Sequence, residues 1–107
     1  LTASPVTPDT VSPITHGLSG GSLAASTPVC TWYGSQDLAA HPDLYKALVE
    51  KLGRDIDERF SGDVDGKASG ILVNTSGWIE ELGYQLLLHA AEVLRINVIL
   101  IMGHDRL

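Results

Sequence analysis

Gly70-Ile71-Leu72-Val73-Asn74-Thr75-Ser76-Gly77-Trp78 is an apolar run that stops abruptly at a polar pair, a serine, a glycine and a tryptophan. A strand covered on both faces is apolar at successive positions, and in an open α/β sheet ligands sit just beyond the carboxyl ends of such strands. The run therefore predicts a buried strand that delivers Asn74 to Trp78 to one rim of a sheet. Asn74 and Thr75 offer an amide and a hydroxyl, and Gly77 permits a tight turn or a close backbone approach to a ligand. The same four residue types also make an ordinary strand-to-helix turn, so the residues alone leave both readings open.

Outward from this stretch, the chain reads as alternating elements. Val29 to Tyr33 has strand propensity and ends at Gly34-Ser35, which is turn chemistry. Pro42 suits the first turn of a helix, and Leu44, Leu48, Leu52, Ile56 and Phe60 recur every four residues behind it. Gly53 lies inside that helix, where it costs about 1 kcal/mol relative to alanine and marks a bend or a close packing contact. Ser61 to Gly66 ends the helix and turns the chain. Its Asp63, Asp65 and Gly66 lack the regular oxygen ligands and terminal glutamate of a calcium loop.

A second helix is predicted over residues 80–95, with Leu82, Leu86, Ala90, Val93 and Leu94 on one stripe, glutamates at the start and Arg95 at the end. Asn97 to Met102 is a further apolar run ending at Gly103-His104. The order strand, helix, strand, helix, strand implies a parallel sheet with right-handed crossovers, which brings the ends at Asn74 and Gly103 to one rim. Residues 1–27, with Pro5, Pro8, Pro13, Gly20-Gly21 and many Ser and Thr, carry no periodic apolar pattern and are expected to be a loop or connection without a helix.

Composition narrows the classes. The 107 residues are 44% hydrophobic, enough for one domain with one core. Thirteen acidic and seven basic side chains give a formal charge of −6, which supplies no global attraction to nucleic acid or an anionic membrane. Cys30 stands alone, so neither an internal disulfide nor a thiolate metal cluster can form, in keeping with the nucleus or cytosol. No apolar run reaches membrane-span length, and no signal core opens the chain. His16, His41, His89 and His104 lack metal-ligand spacing, and no metal site is expected. Asn74-Thr75-Ser76 matches a glycosylation sequon, discounted at the end of a core strand. Asp105-Arg106 reads as a solvated ion pair or a ligand contact. Nothing matches Gly-x-x-x-x-Gly-Lys-Ser/Thr, so the visible chain cannot cradle a nucleoside triphosphate by that loop.

Taken together, Thr31 to Ser35, Leu44-Tyr45-Lys46, Ser69 to Trp78, Gly83-Tyr84-Gln85 with Leu88-His89-Ala90-Ala91, and Asp105-Arg106-Leu107 resemble the polynucleotide 5′-hydroxyl kinase-like subunit of the pre-mRNA cleavage and polyadenylation machinery. The resemblance runs over residues 28–107, and Asn-Thr-x-Gly-Trp followed by Gly-Tyr-Gln is its most specific part. It implies the later part of an α/β, three-layer P-loop NTPase-like domain with a parallel sheet, with the phosphate loop and magnesium-binding strand expected before Leu1 and an arginine-bearing lid after Leu107. By the same resemblance Asn74, Thr75 and Gly77 would stand beside the γ-phosphate of ATP and the acceptor region, with ATP and Mg2+ held in the full-length protein chiefly by motifs absent from this chain. Trp78 would stack on a terminal base, or else pack on the following helix.

Two functions follow from this resemblance. One is an ATP-binding scaffold subunit of the nuclear 3′-end processing machinery, held by other subunits of that machinery; the other is an ATP-dependent 5′-hydroxyl kinase acting on RNA. Phosphoryl transfer needs lysine, magnesium and arginine around the phosphates. None can be assigned in this chain, so the scaffold is the preferred expectation and the isolated fragment is expected to be inactive. An unrelated nucleotide-switch domain is disfavoured by Trp78 and Gly83-Tyr84-Gln85.

Overall fold

The computed structural model describes residues 1–7 and 27–103. The elements, in chain order, are β1 (Thr2–Ala3), β2 (Val29–Cys30), α1 (Pro42–Phe60), α2 (Val64–Ser69) and α3 (Glu81–Val93). The helix-free reading of residues 8–26 and the Asp105-Arg106 pair lie outside the described residues.

The core is the crossing of α1 on α3. Val49 and Leu52 from α1 meet the level of Leu86 and Ala90 from α3, and these four are the buried apolar side chains among the described residues. The stripe on α3 matches the predicted one. On α1 it is rotated slightly: Leu48, Ile56 and Phe60 are half-buried and Leu44 is exposed, because Val49 and Gly53 take the centre of the contact. Gly53 is there for close packing, the second of its two predicted roles. A Cβ at this position would approach Val93 Cγ1 to 3.2 Å and Leu94 Cδ2 to 3.6 Å, so the missing side chain lets the two helices draw together.

Polar contacts tie the pair at its edges. His89 Nε2 lies 3.5 Å from Glu50 Oε1 across the crossing, and Arg95 reaches Asp57 with its guanidinium, 2.6 Å from Oδ2. Arg95 itself adopts a φ of 52°, a left-handed stop after α3. At the start of α1, the Tyr33 hydroxyl donates to the Leu38 carbonyl and accepts from the His41 backbone N–H, both at 3.0 Å. Its ring meets Tyr45 edge-on, with centroids 6.0 Å apart. Burial, then the neighbouring Tyr33, raises the Tyr45 phenol above its ordinary value.

The strands depart from the sequence expectation. The Val29 to Tyr33 run yields only the two residues of β2, which pair antiparallel with β1 in the register Thr2 to Cys30 and Ala3 to Val29. Two residues of β1 carry no alternation, so a loop reading of that region misses them. The apolar runs at 71–73 and 97–102 are not strands here: no ladder includes them, and Leu72, Val98, Leu100 and Met102 are exposed. The parallel sheet is therefore not formed by the described residues. A parallel strand takes its hydrogen bonds from neighbours on each side, and the described residues supply none.

The predicted turn after α1 is itself helical in part. Asp63 caps α2, its carboxylate accepting from the Gly66 N–H at 2.9 Å. This explains the Asp-x-x-Gly spacing without a cation, since a Cβ at Gly66 would fall 2.8 Å from the Asp63 carboxyl carbon. Gly70, at φ 78°, then ends α2 and launches the 71–78 segment.

Candidate functional site

The candidate residues lie on the connection between α2 and α3. Asn74, Thr75 and Gly77 are exposed and fall within four consecutive residues, and the amide and hydroxyl of the first two are engaged in no hydrogen bond within the described residues. Their donors and acceptors face solvent. Gly77 is not demanded by local packing: a Cβ there would meet nothing within 4 Å, and its backbone is not left-handed.

Trp78 is held differently. It is half-buried, and its indole lies against Gly83 in the first turn of α3. A Cβ on Gly83 would come within 2.6 Å of Trp78 Cγ and of the Trp78 carbonyl oxygen. Of the two roles read from sequence, packing on the following helix is realised in this structure, and the partial exposure that remains is what any stacking role has to use. The chain reaches this contact through a sharp turn: Glu81 has a φ of 44°, and the Glu80 carbonyl accepts from the N–H groups of Gly83 at 2.8 Å and Tyr84 at 3.4 Å. Sequence reasoning noted Gly83-Tyr84-Gln85 as a pattern but gave Gly83 no task; the spacing of five residues from Trp78 was the signal.

Among the described residues no group of three or more His, Cys, Asp or Glu side chains is placed to hold a metal ion, and no helix is long and apolar enough to cross a membrane. What this arrangement offers a ligand is polar backbone and side-chain groups at 74–77 and the exposed part of a half-buried aromatic residue at 78.

Comparison with known families decides the assignment. The family model described as "mRNA cleavage and polyadenylation factor CLP1 P-loop" matches residues 7–107. The chain belongs to this family. Membership brings a P-loop NTPase-like fold, of which the α1–α3 pair and its flanking runs are a part. The chain is 40% identical over 71% of its length to Protein CLP1 homolog of Arabidopsis thaliana, covering 17% of that protein. It is 35% identical over 78% of its length to the mRNA cleavage and polyadenylation factor CLP1 of Laccaria bicolor, covering 18% of it. To the polyribonucleotide 5′-hydroxyl-kinase Clp1 of Xenopus tropicalis it is 32% identical over 79% of its length, covering 20% of that protein. The chain thus spans about a fifth of the length of these curated relatives. No solved structure matches it significantly.

Proposed function

We propose that the full-length protein containing this chain is an ATP-binding scaffold subunit of the pre-mRNA 3′-end cleavage and polyadenylation machinery, working in the nucleus against other subunits of that machinery. The observation that carries this reading is the family match over residues 7–107, joined by a relative named as a cleavage and polyadenylation factor. In this reading the runs 70–73 and 98–101 become parallel strands when the remaining strands of the three-layer domain lie beside them, covering Leu72, Val98 and Leu100. Asn74, Thr75 and Gly77 then stand at the strand end facing the γ-phosphate of ATP with its Mg2+, where a glycine with no packing duty of its own lets a phosphate approach the backbone.

The second reading is an RNA 5′-hydroxyl kinase. Two observations favour it: a relative bearing that name, and the half-exposed Trp78 next to Asn74 to Gly77, suited to stacking a terminal base. The experiment that separates the two is transfer of labelled γ-phosphate from ATP to a 5′-hydroxyl oligoribonucleotide by the full-length protein, alongside direct measurement of ATP binding. ATP binding without transfer is the expected result and supports the scaffold. Transfer that falls with Trp78→Ala establishes the kinase in its place. Absence of ATP binding would refute both.

A further inference from the structure

Gly83 is a buried residue in the first turn of α3, with a backbone that makes no demand for glycine, since its φ is not in the left-handed range. Its requirement is steric. A Cβ there would press into the Trp78 indole and stand 2.6 Å from the Trp78 carbonyl oxygen, well inside the 3.0 Å that real Cβ atoms respect. Neither obstacle is the far end of a flexible side chain: one is a fused ring at its root, the other is backbone. The left-handed Glu81 and the shared Glu80 carbonyl hold residues 78–84 in this tight turn, while Asn74 to Gly77 project into solvent.

We propose that Gly83 is a positioning residue for Trp78. By leaving a bare patch on α3 it sets the plane of the indole, and with it the direction in which the uncovered part of the ring meets a nucleobase. A methyl group at 83 lifts the ring and turns that platform away from Asn74 to Gly77. This inference rests on the reading of Trp78 as an RNA-stacking residue and assigns the orientation of that contact to a residue beneath the ring.

The test is affinity of the full-length protein for a 3′-labelled, single-stranded oligoribonucleotide with a 5′-hydroxyl, followed by anisotropy, for wild type, Trp78→Ala, Gly83→Ala and the double variant. ATP affinity is measured in parallel. Each single variant should weaken RNA binding by about 5-fold or more, the lower end of one base stack. The double variant should bind no more weakly than the poorer single variant, because both obstacles to a Cβ at 83, the indole and the carbonyl, belong to Trp78 and the alanine acts on RNA by displacing that residue, and ATP affinity should not change. Losses that multiply, a Gly83→Ala protein with wild-type RNA affinity, or a fall in ATP affinity would overturn the assignment while leaving Trp78 in place. Unchanged binding by Trp78→Ala would overturn the RNA reading of Trp78 and this inference with it. If Gly83→Ala alone fails to fold, the double variant decides: recovery on removing the indole supports the ring as the obstacle, and continued failure assigns the clash to the carbonyl and refutes the proposal.

Discussion

Leu86→Ala probes the α1–α3 crossing at its most enclosed point. Leu86 is 2% exposed, whereas Leu88, two residues along the same helix, is 49% exposed. Truncation removes three carbons from each. At about 0.8 kcal/mol per buried methylene the transfer loss at Leu86 is roughly 2.4 kcal/mol, and the cavity adds to it within the about 2–5 kcal/mol range of such truncations. Val49, Leu52 and Ala90 are the other buried apolar side chains described, so the lining is thin and can close in. The expected cost is therefore near the lower part of that range, about 3 kcal/mol. At Leu88 half of the transfer loss, about 1 kcal/mol, is the ceiling. The gap of about 2 kcal/mol is roughly 30-fold in the unfolding constant. Urea titration of the chain, followed by far-ultraviolet circular dichroism, reads it as a lower midpoint with an unchanged slope. Equal costs for Leu86→Ala and Leu88→Ala would refute the placement of the core between these helices.

Two further outcomes follow from local contacts. Asp63→Ala removes the cap on the Gly66 N–H and should cost α2 about 1 kcal/mol, read as faster amide exchange at residues 64–67, with Asp63→Asn retaining most of the protection. Tyr45 has a raised pKa in the folded chain, so its contribution is fully present below its unfolded value of about 10 and is lost as pH rises through the folded value. Tyr45→Phe should flatten the alkaline limb of the stability profile, and an unchanged limb would exclude Tyr45 as its source.

The two long helices, α1 and α3, were legible because their signals are local, whereas the short α2 was read as a turn. Leu82, Leu86 and Ala90 repeat at helical spacing, Pro42 and Arg95 mark the ends, and the bounds observed lie within two residues of those expected. Gly53 was legible as an exception with two explanations, and only the position of Val93 chooses between them. The apolar runs at 71–73 and 97–102 carry a true strand signal in composition, yet a strand is a property of a pair, and periodicity cannot reveal which neighbour is at hand. The Asp63 turn was read as a chain reversal and not as a calcium loop, but its second duty, capping the short α2, was not read from the sequence. At the site, Asn74, Thr75, Gly77 and Trp78 could be singled out from sequence, but the dependence of Trp78 on Gly83 is a contact of bare surface, and a missing atom leaves no pattern to read.

The uncovered run from Ile96 to Met102 also bears on how the polypeptide reaches its final state. It is seven uncharged residues rich in β-branched and long aliphatic side chains, with Val98, Leu100 and Met102 each more than two-thirds exposed. Such a window is a nucleus for intermolecular cross-β stacking for as long as it stays open. Arg95 on one side and Asp105-Arg106 on the other are charges of the kind that slow such stacking at the borders of an obligatory hydrophobic segment. The α1–α3 contacts join segments close in the chain, and such contacts form sooner than strand pairing that waits for distant sequence. The interval between those two events is where self-association competes with folding, so solubility during synthesis is governed by how soon this segment acquires its neighbours.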